Sequence, residues 1–158
     1  MKQILWFVKT YATLVVLFVL QKPLFLILEK EAATQPIDNI FADMPAVIWH
    51  GLPLDLSMAG YLSVIPGIMS IAAVWFKKDL IRPIMNVYFV IASLIITCSF
   101  LVNASLYPYW KYPLDSTPLF YFLTSPADAI ASVSIWQVVL TFLLWVVLTV
   151  AIWYLLRM

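Results

Sequence analysis

Four long apolar runs restrict this chain to one kind of fold. They cover residues 4–28, 54–76, 84–102 and 135–156. The hydrocarbon core of a bilayer is about 30 Å thick, and about 20 helical residues cross it. Each run is apolar on all sides, as a helix surrounded by lipid should be, whereas a membrane β-barrel needs short strands of alternating polarity. The runs predict an all-α polytopic membrane bundle of four transmembrane helices.

Composition supports the same class. Of the 158 residues, 65% are hydrophobic and 11% are charged, and the mean hydropathy is +1.00. Soluble domains carry roughly 25% charged residues, and a chain this short has too little interior to bury so much apolar surface. The formal net charge of +1 provides no basic face for nucleic acid, which we exclude as a partner. We expect a multi-pass protein of the cytoplasmic membrane, with membrane lipids as partners.

The first run has two interpretations. Lys2 and Lys9 resemble the basic start of a secretory leader, and Ala32 and Ala33 place small residues after the run. However, the apolar stretch continues past Pro23, which is long for a leader, and no Ala-x-Ala pattern marks a cleavage site. A retained first span is therefore favoured.

Basic residues predict the orientation. The short loop KKDLIRP, residues 77–83, is rich in positive charge, and such loops stay in the cytoplasm. With the N-terminus inside, six of the nine basic residues are cytoplasmic: Lys2, Lys9, Lys77, Lys78, Arg82 and Arg157. Both termini are therefore expected in the cytoplasm.

Capping signals predict helical segments at the outer interface. Thr117 followed by Pro118 is typical of an N-cap and a first helical residue. Ser125, Pro126 and Asp128 repeat the pattern, which indicates that the fourth helix begins before its apolar run.

Asp55 stands at the head of the second run. The predicted topology places it at the outer interface, away from the bilayer centre, where a charge costs roughly 2.5 to 3.5 kcal/mol on insertion scales. Asp55 either stabilises the first turn of its own helix and positions that helix at the interface, or it takes part in function.

No pattern predicts catalysis or metal binding by this chain. His50 and Cys98 are its one histidine and one cysteine, and no spacing typical of a zinc site occurs. His50 beside Asp55 lacks a third partner of a catalytic constellation. We predict no catalytic residue, no metal ligand and no cofactor in these residues.

Polar and aromatic residues cluster on the predicted outer surface, in WHGLPLD at 49–55 and NASLYPYWKYPLDSTPLFYFL at 103–123. The cluster is either an aromatic belt at headgroup depth or a contact surface for an anionic or zwitterionic phospholipid headgroup. The candidate headgroup contacts are His50, Asp55, Asn103, Tyr107, Trp110, Lys111 and Asp115.

Three segments resemble the N-terminal membrane domain of lipoteichoic acid synthase-like proteins, which are membrane members of the sulfatase and alkaline phosphatase superfamily. The segments are HGLPLDLSMAGYLSVIP at 50–66, NASLYPYW at 103–110 and YPLDSTPLFYFLTSPADAIAS at 112–132. The positions that match the family's patterns are Gly51, Asp55 and Tyr61 in GL-x-x-D-L-S-x-x-x-Y, and Asn103, Leu106, Tyr107 and Trp110 after the third helix.

The resemblance implies a bacterial cell-envelope enzyme with a membrane bundle and a large extracytoplasmic domain. That domain carries a threonine nucleophile and a divalent metal, manganese or zinc, and no position of this chain matches those residues. We therefore expect the chain to be the anchor and lipid-presenting part of a phosphoglycerol or phosphoethanolamine-type transferase or sulfatase. It is then either the first part of a longer reading frame, with the missing catalytic domain as its partner, or a degenerate relative.

The alternative is a self-contained four-helix protein that acts as a scaffold, a channel subunit or a transporter subunit. Ion pathways usually contain charged residues deep in the spans. The second, third and fourth runs carry none at depth, which argues against transport.

Overall fold

Helices account for nearly all of the described chain. The computed structural model describes residues 2–30, 39–76, 78–111, 114–124 and 134–158. The helices are α1 (Lys2–Glu29), α2 (Ile40–Ala72), α3 (Lys78–Trp110), α4 (Thr117–Thr124) and α5 (Ile135–Arg157). No strand occurs in these ranges. The all-α class is confirmed, and all the helices except α4 are long and apolar enough to span a membrane.

The four long helices form two antiparallel pairs. α1 packs mainly against α2, and α3 packs mainly against α5. The two pairs are joined by smaller contacts: α3 touches both α1 and α2, and α5 touches α1. At one end, Gln3 Nε2 donates to the carbonyl of Ala73 at 3.0 Å and holds the start of α1 to the residue after α2. We call this the termini end, because α1 begins and α5 ends there. The opposite end, where α1 and α3 end, is called the α4 end.

The buried interior is narrow. Trp6 on α1 and Phe89 on α3 contact each other across the two pairs, with ring centroids 6.2 Å apart. Most large apolar side chains, such as Leu5, Val87 and Leu143, face outwards instead. Lipid can cover such a surface, whereas water would oppose its exposure. The structure thus supports a multi-pass membrane protein. Among the described residues, one buried apolar cluster is formed by Leu14, Ala59, Met85, Phe89, Ile96 and Leu156.

Buried polar side chains connect α3 to α5. The hydroxyls of Thr97 and Thr149 lie 2.8 Å apart. Thr97 Oγ1 also lies 2.7 Å from the carbonyl of Ser93, one turn earlier in α3. Because a carbonyl only accepts and a hydroxyl has one proton, Thr97 donates to Ser93 and Thr149 donates to Thr97. Trp153 Nε1 adds a bond to Asn86 Oδ1 at 3.1 Å.

A tyrosine in α3 supplies the hydrogen bond that a proline in α2 cannot make. Pro66 has no N–H, so the carbonyl of Leu62, four residues earlier, lacks its helical partner. Tyr88 OH donates to this carbonyl at 2.6 Å. The bond is partly buried within an apolar span, where lipid would offer the carbonyl no donor.

α2 begins well before its apolar run. Asn39 occupies the N-cap, where its Oδ1 accepts the N–H of Ala42 at 3.3 Å, and Asp43 lies in the first turn. Asp55 consequently lies about four turns inside the helix. The interpretation of Asp55 as an acid that stabilises the start of its own helix is therefore wrong.

α4 is the short helix predicted near Thr117, but its cap differs from the prediction. Thr117 is the first helical residue, and the Asp115 carboxylate accepts its N–H at 2.8 Å and its hydroxyl at 2.9 Å. The predicted start at Ser125, Pro126 and Asp128 lies outside the described residues. α5 is described from Ile135 onwards.

Candidate functional site

One face of α1 contacts both segments in which the candidate residues occur. Lys22, Phe25 and Glu29 are spaced three and four residues apart, so they lie on the same side of the helix. Their contacts on α2 and α3 come from opposite halves of the sequence. We call the set the α1-face cluster: Lys22, Phe25 and Glu29 on α1, Asp55 on α2, and Tyr107 and Lys111 at the end of α3.

The cluster includes an aromatic contact between α1 and α3. The ring of Phe25 meets that of Tyr107 edge to face, with centroids 5.0 Å apart. One turn further along, the Glu29 carboxylate is buried, and the charge of Lys111 attracts it from the end of α3. The ring contact holds the last turns of α1 against the last turns of α3.

The centre of the cluster is an ion pair between α1 and α2. Lys22 Nζ donates to Asp55 Oδ1. Asp55 is only 5% exposed, and its Oδ2 is buried without a hydrogen-bond partner in the described part of the chain. A buried carboxylate needs an opposite charge nearby, and Lys22 supplies that charge to Asp55.

Gly51 makes room for the lysine. A Cβ added to Gly51 would lie 2.0 Å from Lys22 Cε and 2.8 Å from its Nζ. Because Gly51 and Asp55 are one helical turn apart, the lysine stem crosses the glycine to reach the carboxylate. At Gly60, also in α2, an added Cβ would meet no atom within 4 Å. Only the first of these two glycines serves the ion pair.

The depth of the ion pair follows from helix geometry. About 26 Å of helix rise separates Asp55 from Ala72, and about 28 Å separates Lys22 from Gln3. These lengths are close to the thickness of the hydrocarbon core, about 30 Å. With the termini end at one face of a bilayer, the pair lies near the other face, where a charge costs least.

His50 lies on α2 with an exposed ring. Its Nδ1 lies 2.7 Å from the carbonyl of Ala46. Because the carbonyl accepts only, Nδ1 carries the proton, and in the neutral ring Nε2 is left as an acceptor. His50 is thus able to accept a hydrogen bond from a hydroxyl or ammonium group.

Three other candidate residues hold the connection between α3 and α4. Asn103 Oδ1 accepts the N–H of Leu114 at 2.7 Å, and Asp115 binds the start of α4. Lys111 has a φ of 61° and donates its N–H to the carbonyl of Tyr107 at 2.8 Å, which ends α3 in a left-handed residue. A role for them in headgroup contact stays a prediction. The side chain of Trp110, the remaining candidate, lies outside the described part.

Lys22 and Glu29 were not among the site residues predicted from the sequence. The sequence does contain a signal for Lys22: it is a cation near the end of the first apolar run, and Asp55 is the one acid in the second run. Charges in neighbouring spans usually pair with each other. Glu29 carries no comparable signal, because its burial depends on how α1 meets α3.

Within the described residues, no group of three His, Cys, Asp or Glu side chains is placed to hold a metal ion. No family model, curated protein or solved structure matches this chain. Its function therefore has to be inferred from its own geometry and sequence.

Proposed function

We propose that this chain is the membrane anchor of a lipoteichoic acid synthase-like transferase of the phosphoglycerol or phosphoethanolamine type, and that its α4 end presents a phospholipid headgroup. The α1-face cluster carries the proposal. Segments 50–66 and 103–110 resemble that family in sequence, and Asp55 and Tyr107, one from each, contact the same face of α1. Residues that are far apart in sequence are thereby held at one end of the bundle.

The polar groups at this end suit a headgroup of low net charge. Lys111 is exposed and offers a cation to a phosphate, while His50 offers an acceptor to a hydroxyl or ammonium group. A singly anionic phosphoglycerol or a zwitterionic phosphoethanolamine headgroup therefore fits better than a multiply charged one.

The chemistry itself belongs to a separate domain in this proposal. A metal-activated threonine outside the cytoplasmic membrane would carry out the transfer, and no step of it is assigned to these residues. The role of this chain is to anchor the enzyme and to hold the lipid at the correct depth.

Sequencing the native transcript through and beyond the codon for Met158 tests the proposal. Continuation into a further span and an extracytoplasmic metal-binding domain would support it. A stop codon followed by unrelated sequence would contradict it. In the full-length product, Lys111→Gln should lower headgroup transfer, whereas Lys30→Gln, which removes another exposed charge at the α4 end, should not.

A channel or transporter subunit is the second candidate. Asp55 Oδ2 and Ser63 Oγ are both buried without a partner in the described ranges, and they lie about two turns apart on one side of α2. Unpaired polar atoms within a span are typical of ion pathways. Proton or cation flux into liposomes that contain residues 1–158, lost in Asp55→Asn but kept in the exposed control Asp43→Asn, would favour this function. Liposomes without flux would count against it.

A further inference from the structure

A cleft opens at the termini end, between the two helix pairs. Its volume is about 800 Å³, and α1, α2, α3 and α5 all contribute to its lining. Met85 and Phe89 form a buried apolar part, and Trp6 extends it towards α1. The cleft thus reaches from the surface of the bundle to its core. It lies at the opposite end of α1 from the α1-face cluster.

The mouth of the cleft is positively charged. Arg82 and Arg157 line it from α3 and α5, and both side chains are exposed. Asp79 is the one acid in the lining, and neither arginine has a carboxylate within 4 Å in the described part of the chain. The guanidinium of Arg157 lies 5.2 Å from the centre of the Trp153 ring, which orients it. The cations are therefore available to an anionic ligand.

The two arginines lie at the depth of lipid phosphates. The apolar spans run from Asp79 to Pro108 and from Ile135 to Arg157, so Arg82 is near one helix start and Arg157 is at the other helix end. Charges at such positions meet the headgroup layer. Basic pockets between transmembrane helices bind anionic headgroups.

We propose that this cleft binds one anionic phospholipid. The arginines hold its phosphate through charge-assisted hydrogen bonds, and an acyl chain packs against Trp6, Met85 and Phe89. Asn86 also lines the cleft, and its Oδ1 accepts a hydrogen bond from Trp153. Its two side-chain N–H groups have no acceptor within the described residues. They can therefore donate to an ester carbonyl of the lipid. The volume falls within the range of about 300 to 1,000 Å³ usual for ligand pockets.

A lipid explains the site better than a soluble anion does. A free phosphate would use the arginines and leave the apolar part of the cleft without a partner. A phospholipid fills both, and the surrounding bilayer supplies it. The predicted orientation assigns the lipid to the cytoplasmic leaflet.

Lipid titration of the purified chain in neutral detergent tests this proposal, with bound lipid counted by native mass spectrometry. We expect one phosphatidylglycerol per chain, bound at least about tenfold more tightly than phosphatidylcholine with the same acyl chains, because the choline ammonium beside the phosphate of phosphatidylcholine is repelled by the two arginines. The variant Arg82→Gln/Arg157→Gln should lose this preference. Lys9→Gln removes an exposed charge from α1 outside the cleft and should keep it.

Two further measurements apply even if the double variant does not fold. A photoactivatable phosphatidylglycerol should crosslink to the unmodified chain in peptides from the start of α3 and the end of α5. Inorganic phosphate at millimolar concentration should not displace the lipid. Equal binding of the two lipids, unchanged binding by the double variant, crosslinks confined to the α4 end, or displacement by phosphate would each overturn the proposal.

Discussion

At the residue scale, the ion pair between Lys22 and Asp55 depends on a glycine as much as on its charges. The lysine reaches its partner only by crossing Gly51. Burial makes each charge costly without the other. The stability of the α1–α2 pair is therefore sensitive to these three positions.

Removing one charge should cost more than removing both. Asp55→Ala leaves Lys22 without its partner and should lower the free energy of unfolding by roughly 3 kcal/mol, whereas Lys22→Met/Asp55→Leu leaves neither charge and should cost clearly less. Reversible unfolding in mixed micelles provides the measurement. Asp43→Ala, at an exposed acid of α2, is the control. Equal losses in the single and double variants would refute the buried pair.

The two glycines of α2 should respond to alanine in opposite directions. Gly60→Ala has free space and should stabilise the helix by roughly 0.5 to 1 kcal/mol. Gly51→Ala displaces Lys22 and should instead destabilise the protein by about 1 to 3 kcal/mol. With Lys22→Ala already present, Gly51→Ala should become as favourable as Gly60→Ala. A loss that persists in that background would mean that Gly51 serves another contact.

At the element scale, α2 keeps its helical form although it contains three prolines, Pro45, Pro53 and Pro66. Each proline leaves a carbonyl one turn earlier without a donor. At Pro66 a neighbouring helix supplies the donor, since Tyr88 binds the freed carbonyl of Leu62. The irregularity in one helix is thus compensated by a side chain of another.

Tyr88→Phe should be costly only while Pro66 is present. The loss of the hydroxyl leaves a buried acceptor unpaired and should lower the free energy of unfolding by about 1 to 3 kcal/mol. In the Pro66→Ala background the restored N–H binds the Leu62 carbonyl, so the same substitution should cost much less. A double-mutant cycle measures the coupling. An equal cost in both backgrounds would show that Tyr88 contributes through packing alone.

The hydroxyl pair between α3 and α5 should contribute a small, specific coupling. Thr97→Val and Thr149→Val each break the 2.8 Å contact, and their coupling should be about 0.6 kcal/mol, with about 1.7 kcal/mol as the upper limit for such pairs in membranes. Thr141→Val, on an exposed part of α5, is the matched control. Strict additivity of the two substitutions would contradict the pair.

At the scale of the whole molecule, the bundle has two ends with different character. The α4 end holds the α1-face cluster, in which Lys22 and Asp55 are paired across two helices. The termini end opens into a cleft with two arginines. A membrane that separates these ends would expose them to different leaflets.

Cysteine labelling should place the two ends on opposite sides of the membrane. In a Cys98→Ala background, a membrane-impermeant thiol reagent added to intact cells should label Lys30→Cys, at the α4 end. Asp79→Cys, at the termini end, should react only after permeabilisation. The reverse pattern would overturn the predicted orientation, and labelling of both from one side would overturn the four-span arrangement.

The sequence by itself determined the class of fold and the presence of four long apolar helices. The bilayer leaves an isolated segment no partner for its backbone except itself, so the length and apolar content of a run are enough to predict a helix. This explains why residues 4–28 and 135–156 agree closely with α1 and α5. The polar start of α2 at Asn39 was not predicted, because hydropathy identifies only the part of a helix that lies in lipid and not a polar extension outside it.

Only the tertiary structure decided which residues meet. A helix that is apolar all round has no stripe that specifies which side faces a neighbour. The rotation of α1 brings Lys22 to Asp55 and Phe25 to Tyr107, and the rotation of α3 brings Tyr88 to the carbonyl freed by Pro66. Those rotations result from packing of all the helices together, and for that reason neither the contacts of Asp55 and Tyr107 nor their partners on α1 could be predicted from the sequence.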